Sequence, residues 1–125
     1  NKKKLIAFIH KKFLPDFSNS KVKVWLVKGR CVRDLFFPDF THGGNDKVYK
    51  FVPKYEVWID DSLNPAERKF VAVHELYERN LMQYKGLSYL KAHPMASKLE
   101  LSYRKNQKGL MKRIRIEAHR AKDDC

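Results

Sequence analysis

The strongest constraint on the fold is a change of period at Asn64. Upstream, residues 21–28 alternate: Val22, Val24 and Leu26 face one way, Lys21, Lys23, Trp25 and Val27 the other, which is strand behaviour. Downstream, Asn64-Pro65-Ala66-Glu67 supplies an N-cap residue, proline at the first helical position and glutamate at the third, a strong helix start. Helical spacing of apolar residues then runs to about Tyr84, with Gly86 beyond it as a stop. A chain that switches once from strands to helices predicts an α+β fold with the two kinds of element segregated.

The remaining elements fill in that plan. Residues 3–13 read as an amphipathic helix with Leu5, Ile6, Ile9 and Phe13 on one side, ended by Pro15. Gly29-Arg30 turns into a strand over residues 31–37. Residues 38–46 form a loop, with Gly43-Gly44-Asn45-Asp46 as its turn chemistry. Residues 47–52 and 55–60 are two more strands, split by Pro53-Lys54. Ser88 caps a second helix through Leu90, Ala92, Ala96, Leu99 and Tyr103, which Pro94 either kinks or pushes to a later start. A basic helix over residues 108–122 closes the chain. The expected architecture is an N-terminal helix, a small mostly antiparallel sheet, a helical hairpin and a basic C-terminal helix, in one domain over residues 1–125.

The helical hairpin carries the candidate chemistry. With Phe70 at zero and about 100° per residue, His74 falls near 40° and Glu78 near 80°, inside the arc held by Tyr77, Leu81 and Val71. Glu75 lies at the edge of that arc and Arg79 outside it. A carboxylate on a buried face is costly unless it is paired or holds a cation. His74 and Glu78, four apart on one face, can grip one ion. The short 85–87 connection makes the next helix an antiparallel neighbour, so His93 can supply a third ligand. His74, Glu78 and His93 would form a His₂Glu set with a fourth position open, the set catalytic zinc uses in several hydrolases. Glu100, seven residues after His93, points the same way along a continuous helix. The plainer alternative is a buried His74–Glu78 pair that merely satisfies itself.

His74-Glu75-Leu76-Tyr77-Glu78 differs by one residue from the zinc-peptidase signature His-Glu-x-x-His. Residues 64–100 resemble the active-site helix pair of zincin metallopeptidases of the gluzincin type. That resemblance implies a zinc ion, with His74 as first ligand and Glu75 as the catalytic base. Glu78 stands where the second histidine belongs, and His93 or Glu100 falls in the region of the third ligand. It further implies a hydrolase acting on peptides through a metal-activated water, with Tyr89 or His42 available to the oxyanion. Residues 55–100 also look like small uncharacterised microbial and phage proteins, whose likeness implies no activity. A non-catalytic viral protein that keeps the helix pair is therefore a competing reading.

The net charge of +13 supports another function class. Residues 1–33 carry +9, residues 34–100 carry −1 and residues 101–125 carry +5. Basic flanks around a near-neutral centre favour polyanions such as DNA or RNA. Lys2, Lys3, Lys4, Lys11, Lys12, Arg104, Lys105, Lys112, Arg113 and Arg115 are the candidate phosphate contacts. Trp25, Trp58 and Tyr49 could stack on bases, although strand aromatics are more often core. A metal-dependent nuclease would unite the flanks with the centre. Zinc-finger, phosphate-loop and RNA-recognition signatures are absent, and Cys31 and Cys125 imply no disulfide framework. No apolar run is long enough to span a membrane and no signal-peptide pattern is visible. The expected location is intracellular, or a virion.

Overall fold

The computed structural model describes residues 1–120. Its elements are α1 (Lys2–Ile9), β1 (His10–Phe13), β2 (Lys23–Val27), α2 (Gly29–Leu35), β3 (Gly43–Asn45), β4 (Glu56–Asp60), α3 (Arg68–Tyr84), α4 (Tyr89–Lys105) and α5 (Leu110–Arg120). Short 3₁₀ turns cover Pro15–Phe17 and Pro65–Glu67. The strands form one sheet in the order β1-β2-β4-β3. β1 and β3 pair antiparallel at the two edges, and the central pair β2 and β4 is parallel. The fold is α+β with an N-terminal helix, as expected, but helix α2 lies between strands β2 and β3, so strands and helices are not cleanly segregated at Asn64.

The alternation of β2 sorts the core into two clusters. Val24 and Leu26, with Val57 and Ile59 of β4, pack against α3 and α5 through Phe70, Ala72, Leu76, Ile114 and Ala118. Val27 and Trp58 face the other way, into a cluster with Ile9 of α1, Val32 of α2, Phe40 and Val52. The sheet is thus covered on both faces, with α3 at the centre of the helical side. From Phe70 to Leu81 every α3 residue except Tyr77 is buried, the signature of a helix enclosed on most sides.

Several expectations are corrected. Residues 31–37 are helical rather than extended, because the parallel β2–β4 pairing requires a crossover and both places beside β2 are taken. Residues 47–52 form turns, initiated where Asn45 O accepts from Val48 N and Tyr49 N and Asn45 Oδ1 accepts from Lys47 N. The expected loop at 38–46 contains strand β3. The first helix stops at Ile9, since His10 is extended and β1 pairs with β2. The last helix begins at Leu110, and its expected end at Lys122, like Cys125, lies outside the described residues. No described helix is long and apolar enough to cross a membrane.

Candidate metal centre

α3 enters through the expected cap: the Asn64 side chain accepts from Ala66 N at 2.9 Å, and Pro65 opens a single 3₁₀ turn before the α-helix. It leaves through Gly86, whose φ of +65° favours glycine, and Leu87 N donates back to Leu81 O at 3.2 Å. α4 then begins at Tyr89 and continues through Pro94. Ala92 and Ala96, both fully buried, present small side chains that let α4 lie close against α3. His93 and Glu100 come from the same helix and both reach His74.

Three ligand atoms converge. His74 Nε2 lies 3.3 Å from Glu78 Oε2 and 3.3 Å from His93 Nδ1, and His93 Nδ1 lies 2.8 Å from Glu78 Oε2. All three residues offer ligand atoms within 4.8 Å of one another. The circle through atoms with those three separations has a radius of about 1.8 Å, so one point can sit at a zinc bond length of about 2.0–2.1 Å from all of them. Two sides of the triangle already match the edge of a zinc tetrahedron, about 3.3 Å for that bond length.

A supporting layer holds these atoms. Glu100 Oε1 lies 3.0 Å from His74 Nδ1, the arrangement in which a carboxylate fixes a histidine ligand's tautomer and ring plane. Arg104 in turn pairs with Glu100 at 2.8 Å and with Glu67 at 2.8 Å. On the sheet side Asn45 is wholly buried, and its amide donates to Glu75 Oε1 at 3.0 Å and Glu78 Oε1 at 3.2 Å. Gly43 allows this approach: a Cβ there would come within 2.7 Å of Val71 Cγ1 and 2.6 Å of Trp58 O. Tyr89 stacks on His93, with ring centroids 5.0 Å apart.

The cluster opens into a cleft of about 350 Å³ between β3, α3 and α4. Its walls include Thr41, His42, Tyr49, Leu63, Val71 and Tyr89. Three carboxylates gather at its floor, and their protonation reflects that crowding. Burial opposes a charge on His74, yet the Glu100 and Glu78 carboxylates that accept from its ring, with the charge of Glu75, push its pKa up to about 10. Burial, then the charge of Glu78, raises Glu75 to about 8. Glu100 is held below its usual value: burial opposes this, but His74 and Arg104 outweigh it. Burial and the same carboxylates raise Tyr49 and Tyr89.

His74, Glu75, Glu78, His93, Glu100 and Tyr89 are brought together at this cleft. His42 sits exposed on its rim with a φ of 62°, its carbonyl held by Asp60 N at 2.8 Å. Asn45 and Tyr49 were not legible as residues of this cleft, because Asn45 sits in what reads as turn chemistry and Tyr49 in what reads as a strand with a ring for base stacking. The basic candidates divide. Lys2, Lys3, Lys4, Lys12, Lys105, Lys112 and Arg115 are exposed. Lys11 pairs with Asp61, Arg113 with the buried Glu117, and Arg104 with Glu67 and Glu100. Those last two guanidiniums are engaged by carboxylates rather than left free for phosphates.

Comparison of the chain with protein-family models, with curated proteins and with solved structures finds no match. The functional reading therefore rests on the chemistry of the cleft.

Proposed function

We propose that this chain is a metal-dependent hydrolase that holds one divalent ion, zinc by ligand chemistry, between His74, Glu78 and His93. The carrying observation is the triangle of ligand atoms, with separations of 3.3, 3.3 and 2.8 Å at the floor of a cleft. Two nitrogens and one carboxylate oxygen suit zinc, and three protein ligands leave a coordination position for water or substrate. A structural zinc site would be closed by a fourth side chain.

When bound, the ion supplies Lewis acidity, lowering the pKa of water and polarising an acyl oxygen. The chain's own groups account for the rest. Asn45 ties down one oxygen of Glu75 and leaves the other, Oε2, turned toward His74 Nε2 at 4.0 Å. From there Glu75 takes the proton of the attacking water and passes it to the leaving group. A carboxylate whose burial lifts its proton affinity toward neutral pH suits that duty. Tyr49 and Tyr89 line the cleft and supply hydroxyl donors toward a developing oxyanion. The resemblance of residues 64–100 to zincins supports peptides as the substrate class.

The test is metal analysis and hydrolysis of a fluorogenic peptide library by the zinc-loaded protein. Glu75→Gln is expected to keep the metal and lose about 10²–10⁴ in rate, the usual worth of a positioned base. A protein that takes up no divalent metal overturns the reading. Full activity in Glu75→Gln removes Glu75 from the role of base.

A further inference from the structure

The helix that carries the metal ligands turns a second face toward a different cavity. Where α5 packs beside α3, the two helices leave a hollow of about 510 Å³, larger than the metal cleft and sharing no lining residue with it. That volume is within the range of small-molecule sites. Tyr77 and Tyr84, seven apart and so on one side of α3, form an apolar wall with Leu81. Lys85, at the C-terminal cap of α3, and Arg113 and Arg120 of α5 bring three cations. No described acidic side chain lines the hollow.

Several of these groups have unmet capacity. Arg113 is engaged: its Nε donates to Glu117 Oε2 at 2.8 Å, and its guanidinium lies 5.2 Å from the Tyr77 ring centroid. Tyr84, 40% exposed, is the more accessible ring. Arg120 is held loosely, with Nη1 3.5 Å from the same Glu117 oxygen and a side chain 58% exposed. Lys85 is exposed and forms no ion pair with a described acidic side chain. One fully buried carboxylate, Glu117, thus stands against three cations. Asn80, 5% exposed, also lines the hollow. Its Nδ2 donates to Glu117 O at 2.8 Å and to Glu117 Oε1 at 3.1 Å. Its Oδ1 is a buried acceptor with no partner among the described residues, which is costly until a donor meets it.

We propose that this hollow binds a mononucleotide, its phosphate met by Lys85 and Arg120, its base lying on Tyr84, and a base or ribose donor reaching Asn80 Oδ1. The walls ask for three chemistries at once: an anion for the cations, a planar ring for the tyrosines and an N–H or O–H donor for Asn80. A small ligand that joins all three is what a nucleoside phosphate is. Inorganic phosphate would answer the cations alone and fill little of the volume. An apolar ligand would cover Tyr77, Leu81 and Tyr84 but leave the cations without a counter-charge. Charge-assisted contacts and stacking on a ring add, so the whole ligand binds more tightly than either part. The site is separate from the metal ligands and stands without the metal reading.

The experiment is calorimetric titration of the whole, metal-free chain at low salt with AMP, beside adenosine and inorganic phosphate. AMP should bind roughly tenfold or more tightly than either part. Lys85→Gln/Arg120→Gln should weaken AMP roughly tenfold or more, the usual worth of hydrogen bonds to a charged group, and leave adenosine binding unchanged. Lys112→Gln/Arg115→Gln, on α5 but outside the hollow, removes equal charge and should change AMP affinity by less than about twofold. Tyr84→Ala should lose roughly tenfold, as stacked rings do, whereas Tyr84→Phe keeps the ring and should bind like the parent chain. These substitutions replace exposed side chains, so the core stays intact. The proposal is overturned if AMP does not bind, or if adenosine or phosphate binds as tightly as AMP. Equal effects of the two charge pairs, or parental binding by Tyr84→Ala, overturn it as well. His74→Ala should keep AMP binding; loss there would put the nucleotide in the metal cleft and overturn the assignment to this hollow.

Discussion

Two histidine–glutamate contacts in this molecule look alike at close range and differ in what surrounds them. His10 Nε2 meets Glu56 Oε1 at 2.7 Å, and His93 Nδ1 meets Glu78 Oε2 at 2.8 Å. Around Glu56 the remaining partner is a neutral donor, Trp58 Nε1 at 2.9 Å, and the His10 ring is stacked against Trp25. One base meets one acid there, so the pair is self-sufficient. Around Glu78 stand a second histidine and two more carboxylates, Glu75 and Glu100, with Asn45 and Arg104 donating to them. Buried carboxylates in excess of their counter-charges must take up protons or a cation. The difference lies in the balance of ligands, since the pairwise distances are nearly equal.

The sharpest way to break this comparison is to delete one histidine from each region. His74→Ala should abolish tight zinc binding in a chelator competition assay, because two remaining ligands cannot hold the ion. His10→Ala should bind zinc like the parent chain. Equal loss in both variants would remove the distinction. Next in size is Asn45→Ala. Removing a group that orients a ligand usually costs about 10–100-fold in metal affinity, and the cobalt-substituted protein should show an altered d–d spectrum. Unchanged affinity and spectrum would make Asn45 a packing residue.

A smaller effect is expected from pH. The metal-free protein binds protons at His74 and Glu75 more tightly than its unfolded chain does. His74 contributes stability below pH 6.5 that is lost as pH rises through about 10. Glu75 acts in the same direction, its contribution being full below pH 4.5 and lost as pH rises through about 8. Thermal midpoints of the metal-free protein should therefore fall by several degrees between pH 6 and pH 9. Zinc replaces those protons, so it should be released as pH falls and should flatten the decline. A metal-free midpoint that rises over this interval would contradict the proton-loaded cluster. The smallest effect belongs to the self-sufficient pair: His10→Ala should cost about 0.5–1.5 kcal/mol in urea unfolding at neutral pH, the usual net worth of one hydrogen bond, because Glu56 still accepts from Trp58 Nε1.

Much of the central helix was legible because its signals are local. The Asn64-Pro65 start, the stop at Gly86 and the placing of His74 and Glu78 on a buried arc follow from spacing within one helix. The same plot puts Arg79 outside the apolar arc, yet Arg79 is 0% exposed. Asp46 reaches over from the end of β3 to hold it at 2.7 Å, and Tyr55 lies 5.2 Å beneath its guanidinium. A helical plot knows one neighbour, whereas α3 has the sheet, α4 and α5 around it. The strand expected at 31–37 failed for a related reason. Alternating apolar residues are permitted in a strand, but the sheet had no vacant place beside β2.

By itself the sequence determined the helix that carries His74, Glu75 and Glu78, the alternation of β2 and the basic excess of the flanks. These depend on residues a few positions apart, whose relation is set by the fixed geometry of helix and strand. Only the tertiary structure decided that His93 and Glu100 reach His74 from α4, that Asn45 joins from β3, and that Arg104 and Arg113 are withdrawn into ion pairs. It likewise decided, through one bulge, that His10 and Phe13 share the ring of Trp25. Contacts between elements depend on how closely their surfaces pack, and the small residues Gly43, Ala92 and Ala96 set that approach only once the elements are in place.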